Sequence, residues 1–171
     1  MKKNVSGEHY TKIIRHTSEE PAWRALKSSG QAAYVWFKLE WRGPDANNNG
    51  KIRLSARQLG KRMGVRPDTA AEATRDLQRK GFLFQTEAAR LGVDGAAKSP
   101  AFELTELKMP GTDKNQDGRK LYKQWRPGQD FPLQGAGVNN PTGANGRKTK
   151  PRHENRDVTV LKTVTKRMMA S

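Results

Sequence analysis

Asp68, Thr69, Glu72, Arg75 and Arg79 lie in one segment, Pro67–Lys80 (PDTAAEATRDLQRK). Their spacing puts Asp68, Glu72, Arg75 and Arg79 on one helical face flanked by Thr69 and Ala71, while Ala70, Ala73 and Leu77 form an inward stripe. Such a face carries the chemistry of base recognition. Arg75 can give two parallel hydrogen bonds to guanine, Glu72 can accept from the amine of cytosine, and Thr69 can bond a base or touch a thymine methyl, with Asp68 beside them in the first turn. Arg66 and Arg79 suit phosphate oxygens better, and the preceding segment adds Arg57, Lys61 and Arg62 as further phosphate contacts. Arg90 and Lys98 fall where a hairpin could grip the backbone or the minor groove. The plainer chemistry for the same residues is a solvated face with Glu72 and Arg75 as a local ion pair. Asp68 and Glu72 oppose indiscriminate phosphate binding, which suits a protein that selects bases and equally suits a face that does not touch DNA.

Other chemistries find little support. Cys is absent, which removes disulfides, thiolate metal sites and cysteine nucleophiles. His9, His16 and His153 lack metal-ligand spacing. Asp45-x-Asn47-x-Asn49-Gly50 and Asp113-x-Asn115-x-Asp117-Gly118 mimic the start of a calcium loop. Position twelve, where such a loop needs a bidentate Glu, is Ala56 in one and Gln124 in the other, so both read as turns. There is no P-loop, and nothing places Ser, Asp and His together. The expectation is a protein that binds without catalysis, with no metal and no cofactor.

The charge balance points the same way. Of 171 residues, 33 are Lys or Arg and 17 are Asp or Glu, giving a net charge of +16, with a pI near 10.4. An anionic partner is implied, nucleic acid before a membrane surface. No run is long and apolar enough to suggest a membrane span, and MKKNVSGEHY has no apolar core of a secretory signal. A cytoplasmic, nucleoid-associated place is expected. Residues 109–171 hold 13 of the Lys and Arg but 5 of the acids, so half the net charge lies there.

The elements that must position these residues can be read in order. Pro21 after Glu19-Glu20 starts a short helix over Pro21–Leu26. Ser28-Ser29-Gly30 then restarts the chain, and Gln31–Trp41 (QAAYVWFKLEW) reads as a buried helix with Ala33, Phe37 and Trp41 on one stripe. Trp23, Trp36 and Phe37 are assigned to the core rather than to base stacking. A loop ending in Asn49-Gly50 precedes a strand over Lys51–Leu54. Ser55 opens a helix to Met63, with Gln58 at capping-box spacing, a Leu54–Leu59 staple and a stop at Gly64. The helix 67–80 stops at Gly81. Residues 82–86 and 101–105 read as strands of a returning hairpin. Gly135–Arg152 (GAGVNNPTGANGRKTKPR) reads as disordered. Apolar islands lie at 121–131, where Trp125 is expected to dock on the body, and at 158–169, which fits a helix or a strand equally.

Helix 55–63, a short turn and helix 67–80 have helix-turn-helix spacing, and the following hairpin takes the place of a wing. Residues 54–83 (LSARQLGKRMGVRPDTAAEATRDLQRKGFL), with AWRAL (22–26) and NNNGKIRLS (47–55), resemble the winged helix-turn-helix domains of phages, plasmids and other bacterial mobile elements. Arg66-Pro67 departs from the Ser, Thr or Asn usual before the recognition helix in that family. The resemblance implies a mainly α fold with a small β wing, a domain over 17–108 between an N-terminal arm (1–16) and a largely disordered basic tail (109–171). It implies sequence-specific binding of double-stranded DNA, as a transcription regulator of a mobile element or as a replication-origin binder, and it admits a homodimer on paired half-sites. A reading from another class is an adaptor that recruits a protein partner through the wing or residues 158–169. RNA binding would call for exposed stacking aromatics, which the pattern does not supply.

Overall fold

The computed structural model describes residues 10–90, 98–113 and 115–134. The disordered stretch and the 158–169 island read from the sequence lie outside them. In chain order the elements are α1 (Arg15–Glu19), α2 (Pro21–Arg24), α3 (Ser28–Leu39), β1 (Ile52–Arg53), α4 (Ala56–Met63), α5 (Pro67–Arg79), β2 (Leu83–Glu87) and β3 (Ala101–Leu104), then a 3-10 turn at Leu121–Lys123. Among the described residues five α-helices thus combine with one small antiparallel sheet, of strand order β1-β3-β2. None of the described helices is long and apolar enough to cross a membrane.

The inward stripes build the core. Ala33, Tyr34 and Phe37 from α3, Leu59 from α4, and Ala70, Ala73 and Leu77 from α5 are buried against Ile52, Phe82, Phe102 and Leu104. Alanines at 70 and 73 present little bulk, which lets α5 approach its neighbours closely. Trp23 packs edge-on against Tyr34 and Phe82, at centroid separations of 5.4 and 5.7 Å. Phe37 meets Phe102 the same way at 5.2 Å. Edge-to-face pairs of this kind contribute about 0.5–1.5 kcal/mol each beyond burial.

Local punctuation and tertiary partners disagree at α3. Ser28, Ser29 and Gly30 form its first turn rather than a break, and the helix ends at Leu39, leaving Trp41 outside. The cause comes from α5. The Asp76 carboxylate, buried at 6% exposure, accepts the Lys27 N–H at 2.9 Å and so caps the positive end of α3. Trp41 instead donates its indole N–H to the Asn47 side chain at 3.0 Å.

The loop that imitates a calcium site spends its oxygens on the fold. Asn49 is fully buried; its amide donates to the Leu104 and Leu107 carbonyls at 3.0 and 2.9 Å and accepts the Leu104 N–H at 2.7 Å. Asn47 Oδ1 accepts the Asn49 N–H, and Asn48 binds the main chain of Glu40 and Arg42. These asparagines tie the end of α3 to the end of β3.

The packed body also exceeds the boundaries read from the sequence. α1 opens at Arg15, inside the expected arm, and its Thr17 is buried and donates to Glu106 at 2.5 Å. Beyond Lys108, Tyr122 and Trp125 join the core, Tyr122 stacking on Phe82 at 4.8 Å. Residues 115–134 are therefore part of the body and not of a flexible tail, with Trp125 docked as expected. Close backbone approach makes this possible. A Cβ on Gly118 would lie 2.6 Å from the Thr105 carbonyl oxygen, and one on Gly81 (φ +78) 2.8 Å from Tyr122 N. Gly118→Ala is expected to destabilise the protein by about 1–3 kcal/mol through overpacking, read as a lowered urea midpoint at unchanged slope.

The same segment explains why β3 is buried along its whole length instead of alternating. Arg119 grips the Glu103 carboxylate with two nitrogens, at 2.8 and 2.5 Å, and lays its guanidinium over Phe84 at 4.1 Å. The second face of the central strand is covered by chain that follows it.

Candidate nucleic-acid interface

The helix pair at the centre of the site is set by its caps. Ser55 accepts the Gln58 N–H at 3.2 Å and Gln58 accepts the Ser55 N–H at 3.0 Å, a complete capping box at the start of α4. Gly64 closes α4 in the left-handed conformation (φ 68). Gly60 admits the turn beneath it: a Cβ there would sit 2.8 Å from the Val65 carbonyl oxygen. The next helix starts at Pro67 with extended Arg66 before it and no side-chain cap, so the departure at Arg66 leaves the first amides of α5 uncapped by its side chain. β2 and β3 then pair antiparallel, with Leu83 opposite Leu104 and Gln85 opposite Phe102, and an irregularity between Gln85 and Glu87.

The face read from the sequence is present but its residues are not equivalent. Asp68, Thr69 and Arg75 are exposed, as are Arg57, Lys61, Arg62 and Arg66, whereas Glu72 and Arg79 are half-buried. Glu72 accepts from Arg79 at 2.7 Å and from Arg75 at 3.1 Å. These bonds, Arg79's first and then Arg75's, hold the Glu72 carboxyl below its ordinary range and stabilise the Arg79 guanidinium. Glu72 is thereby occupied as a strut between two arginines. Its expected part as a free acceptor for cytosine does not match this geometry, while the local ion pair with Arg75 does. Arg75 remains half exposed.

Of the other expected phosphate contacts, Arg62 is engaged and Arg66 is not. Arg62 pairs with Glu40 at the end of α3 and lies over the Trp36 ring at 5.8 Å. Arg66 stands 3.9 Å from Asp68, both almost fully exposed, a contact too loose and wet to hold either. At the hairpin, Arg90 and Lys98 exchange both main-chain hydrogen bonds, at 3.1 and 2.8 Å, and both are exposed. Opposite residues share a face, so two cations stand side by side where the hairpin leaves the sheet. Residues 91–97, the expected tip, lie outside the described chain.

The sequence reading missed the Arg62–Glu40 pair and the bond from Arg79 to Glu72. The second had a local signal, since positions 72, 75 and 79 share a face. The first joins residues on different helices. Among the described residues no group of three His, Asp or Glu side chains is placed to hold a metal. No known protein family, curated protein or solved structure matches the chain.

Proposed function

We propose that the chain is a winged helix-turn-helix protein that binds double-stranded DNA by sequence, with α5 in the major groove, α4 across the backbone and the β2–β3 hairpin as the wing. The observation that carries this reading is the juxtaposition of the capped α4–Gly64–α5 unit with an exposed row of cations at 57, 61, 62, 66 and 75, on a chain of net charge +16. In this reading Arg75 is the base-reading side chain, held at the correct angle by Glu72. Thr69 and Asp68 meet bases in the first turn. Arg57, Lys61, Arg66 and Arg79 take phosphates, and Arg90 with Lys98 grips beside them. Arg62 joins them once its pair with Glu40 is released. Transcription regulation of a mobile element is the role we favour. Origin binding uses the same interface and is separated from it by where the bound motif lies.

Two variants test the division of labour by fluorescence anisotropy on a selected duplex. Arg75→Ala is expected to cost about 1–3 kcal/mol of affinity and to relax preference at one base pair. Lys61→Ala is expected to weaken all sequences alike and to lower the salt slope by about 1. Equal, sequence-independent losses from both variants would remove base reading by α5.

A further inference from the structure

A second cationic region lies away from the helix pair, between the segment that precedes α1 and the chain that follows α3. Tyr10 and Lys12 from the one, and Trp41 and Arg42 from the other, line a cleft of about 430 Å³. That volume falls within the ~300–1,000 Å³ usual for small-ligand sites. Tyr10 is 80% exposed, more than any other large apolar residue among those described. Lys12 and Arg42 are exposed and Trp41 is half-buried.

One wall is fixed by the asparagine loop. The Trp41 indole N–H donates to Asn47 at 3.0 Å, and the Asn47 amide donates in turn to the Lys108 carbonyl at 3.1 Å. The Arg42 main-chain N–H donates to the Asn48 side chain at 2.9 Å. Lys38 also lines the cleft, but it is buried and paired with Glu106, so its charge is spent inside the body. Lys12 and Arg42 are the cations left to a ligand, and no carboxylate is among the described residues of the lining.

Two aromatic side chains beside two cations, with no acid to oppose them, suit an anion that carries a flat ring. Proteins that hold unpaired nucleotides combine the same parts: aromatic side chains on which bases stack and a positive groove for the phosphates. An arginine beside the ring adds attraction to its face.

We propose that this cleft binds a nucleoside monophosphate unit, its base stacked on Tyr10 and Trp41 and its phosphate held by Lys12 and Arg42. The unit can come from a free nucleotide or from an unpaired strand. α4 and α5 contribute no residue to the cleft, so the inference does not rest on duplex recognition, and its test contains no duplex.

The full-length ¹⁵N-labelled chain is titrated at physiological ionic strength with deoxyadenosine 5′-monophosphate, deoxyadenosine, inorganic phosphate and a single-stranded deoxyadenylate octamer. The Trp41 indole N–H and the Arg42 main-chain N–H are expected to shift saturably with the monophosphate, with a midpoint of about 1 mM or lower. The nucleoside and inorganic phosphate should each bind about tenfold more weakly. Tyr10→Ala is expected to keep the parent Tm, since Tyr10 lies outside the core, and to weaken the monophosphate about fivefold or more. An octamer about tenfold tighter than the monophosphate at the Trp41 signal, with that gain lost in Tyr10→Ala, identifies an unpaired strand as the source. Equal midpoints identify a free nucleotide. Three results would overturn the inference: no saturable shift at Trp41, an equal response to inorganic phosphate alone, or undiminished affinity for either nucleotide ligand in Tyr10→Ala.

Discussion

Glu106→Leu is expected to destabilise the protein by about 3–5 kcal/mol, the cost of breaking a buried ion pair from one side. Glu106 and Lys38 are joined at 2.5 Å, with their side chains 4% and 3% exposed. Tyr34 and Thr17 donate to the same carboxylate at 2.6 and 2.5 Å. Removing the carboxylate strands a buried ammonium and two hydroxyls together. Replacing both charges, Lys38→Met with Glu106→Leu, should recover much of the loss, because two apolar groups need no partner. The two states of the site also titrate apart. Burial works to raise the Glu106 pKa, but hydrogen bonds from Lys38, Thr17 and Tyr34 outweigh it and hold the group below its ordinary value of 4.5. Burial, then the Glu106 charge, pushes the Tyr34 phenol well above its ordinary range, so it stays a donor. A carboxylate held low in the folded state contributes stability above its unfolded pKa and loses it as pH falls through the folded one. The urea midpoint of the parent should therefore fall on acidification below about pH 4.5, and this part of the fall should be missing in Glu106→Leu.

DNA affinity is expected to fall by about a thousandfold between 50 and 200 mM salt, the loss that follows from displacing counterions at about six phosphates. In the proposed complex these are the contacts of Arg57, Lys61, Arg66 and Arg79 around the helix pair, with Arg90 and Lys98 on the hairpin; Arg79 is half-buried and the others are exposed. The test is the slope of log affinity against log salt for the full chain. A shallow slope, worth one or two phosphates, would mean that these side chains do not line a DNA backbone together. Charge reversal at Arg57 with Lys61 should flatten the slope without shifting the urea midpoint, since both point to solvent and neither belongs to the core.

The helix pair was legible because its signals are local. Ser55 with Gln58, Gly64, Pro67 and Gly81 each state a helix end within four residues of the end itself, and the Ala70–Ala73–Leu77 stripe states the inward face. The paired strands were legible for the same reason. What escaped depends on partners far along the chain. Lys38 reads as one more charge on a helix, and only Glu106, 68 residues away, makes it a core residue. The start of α3 was misread because Asp76 overrides the turn preference of Ser28-Ser29-Gly30. Docking of residues 115–134 was underread because the low apolar content hides its anchors. Tyr122 and Trp125 fit only where Gly118 and Gly81 lack a Cβ, and Asp130 then binds Lys80 and the Trp125 indole, at 2.5 and 2.9 Å. At the candidate interface the residue types were legible. Their pairing was not: Glu72 accepts from both Arg75 and Arg79 and is not a free acceptor.

The most direct measurement is selection of bound fragments from a random double-stranded library by the full-length chain, at low and at raised salt, with Arg75→Ala in parallel. Sequence reading through α5 predicts one enriched motif that persists at raised salt and loses preference at a base pair in the variant. Flat enrichment in the parent, with binding that vanishes as salt rises, would contradict it and leave only a cationic surface that holds phosphate.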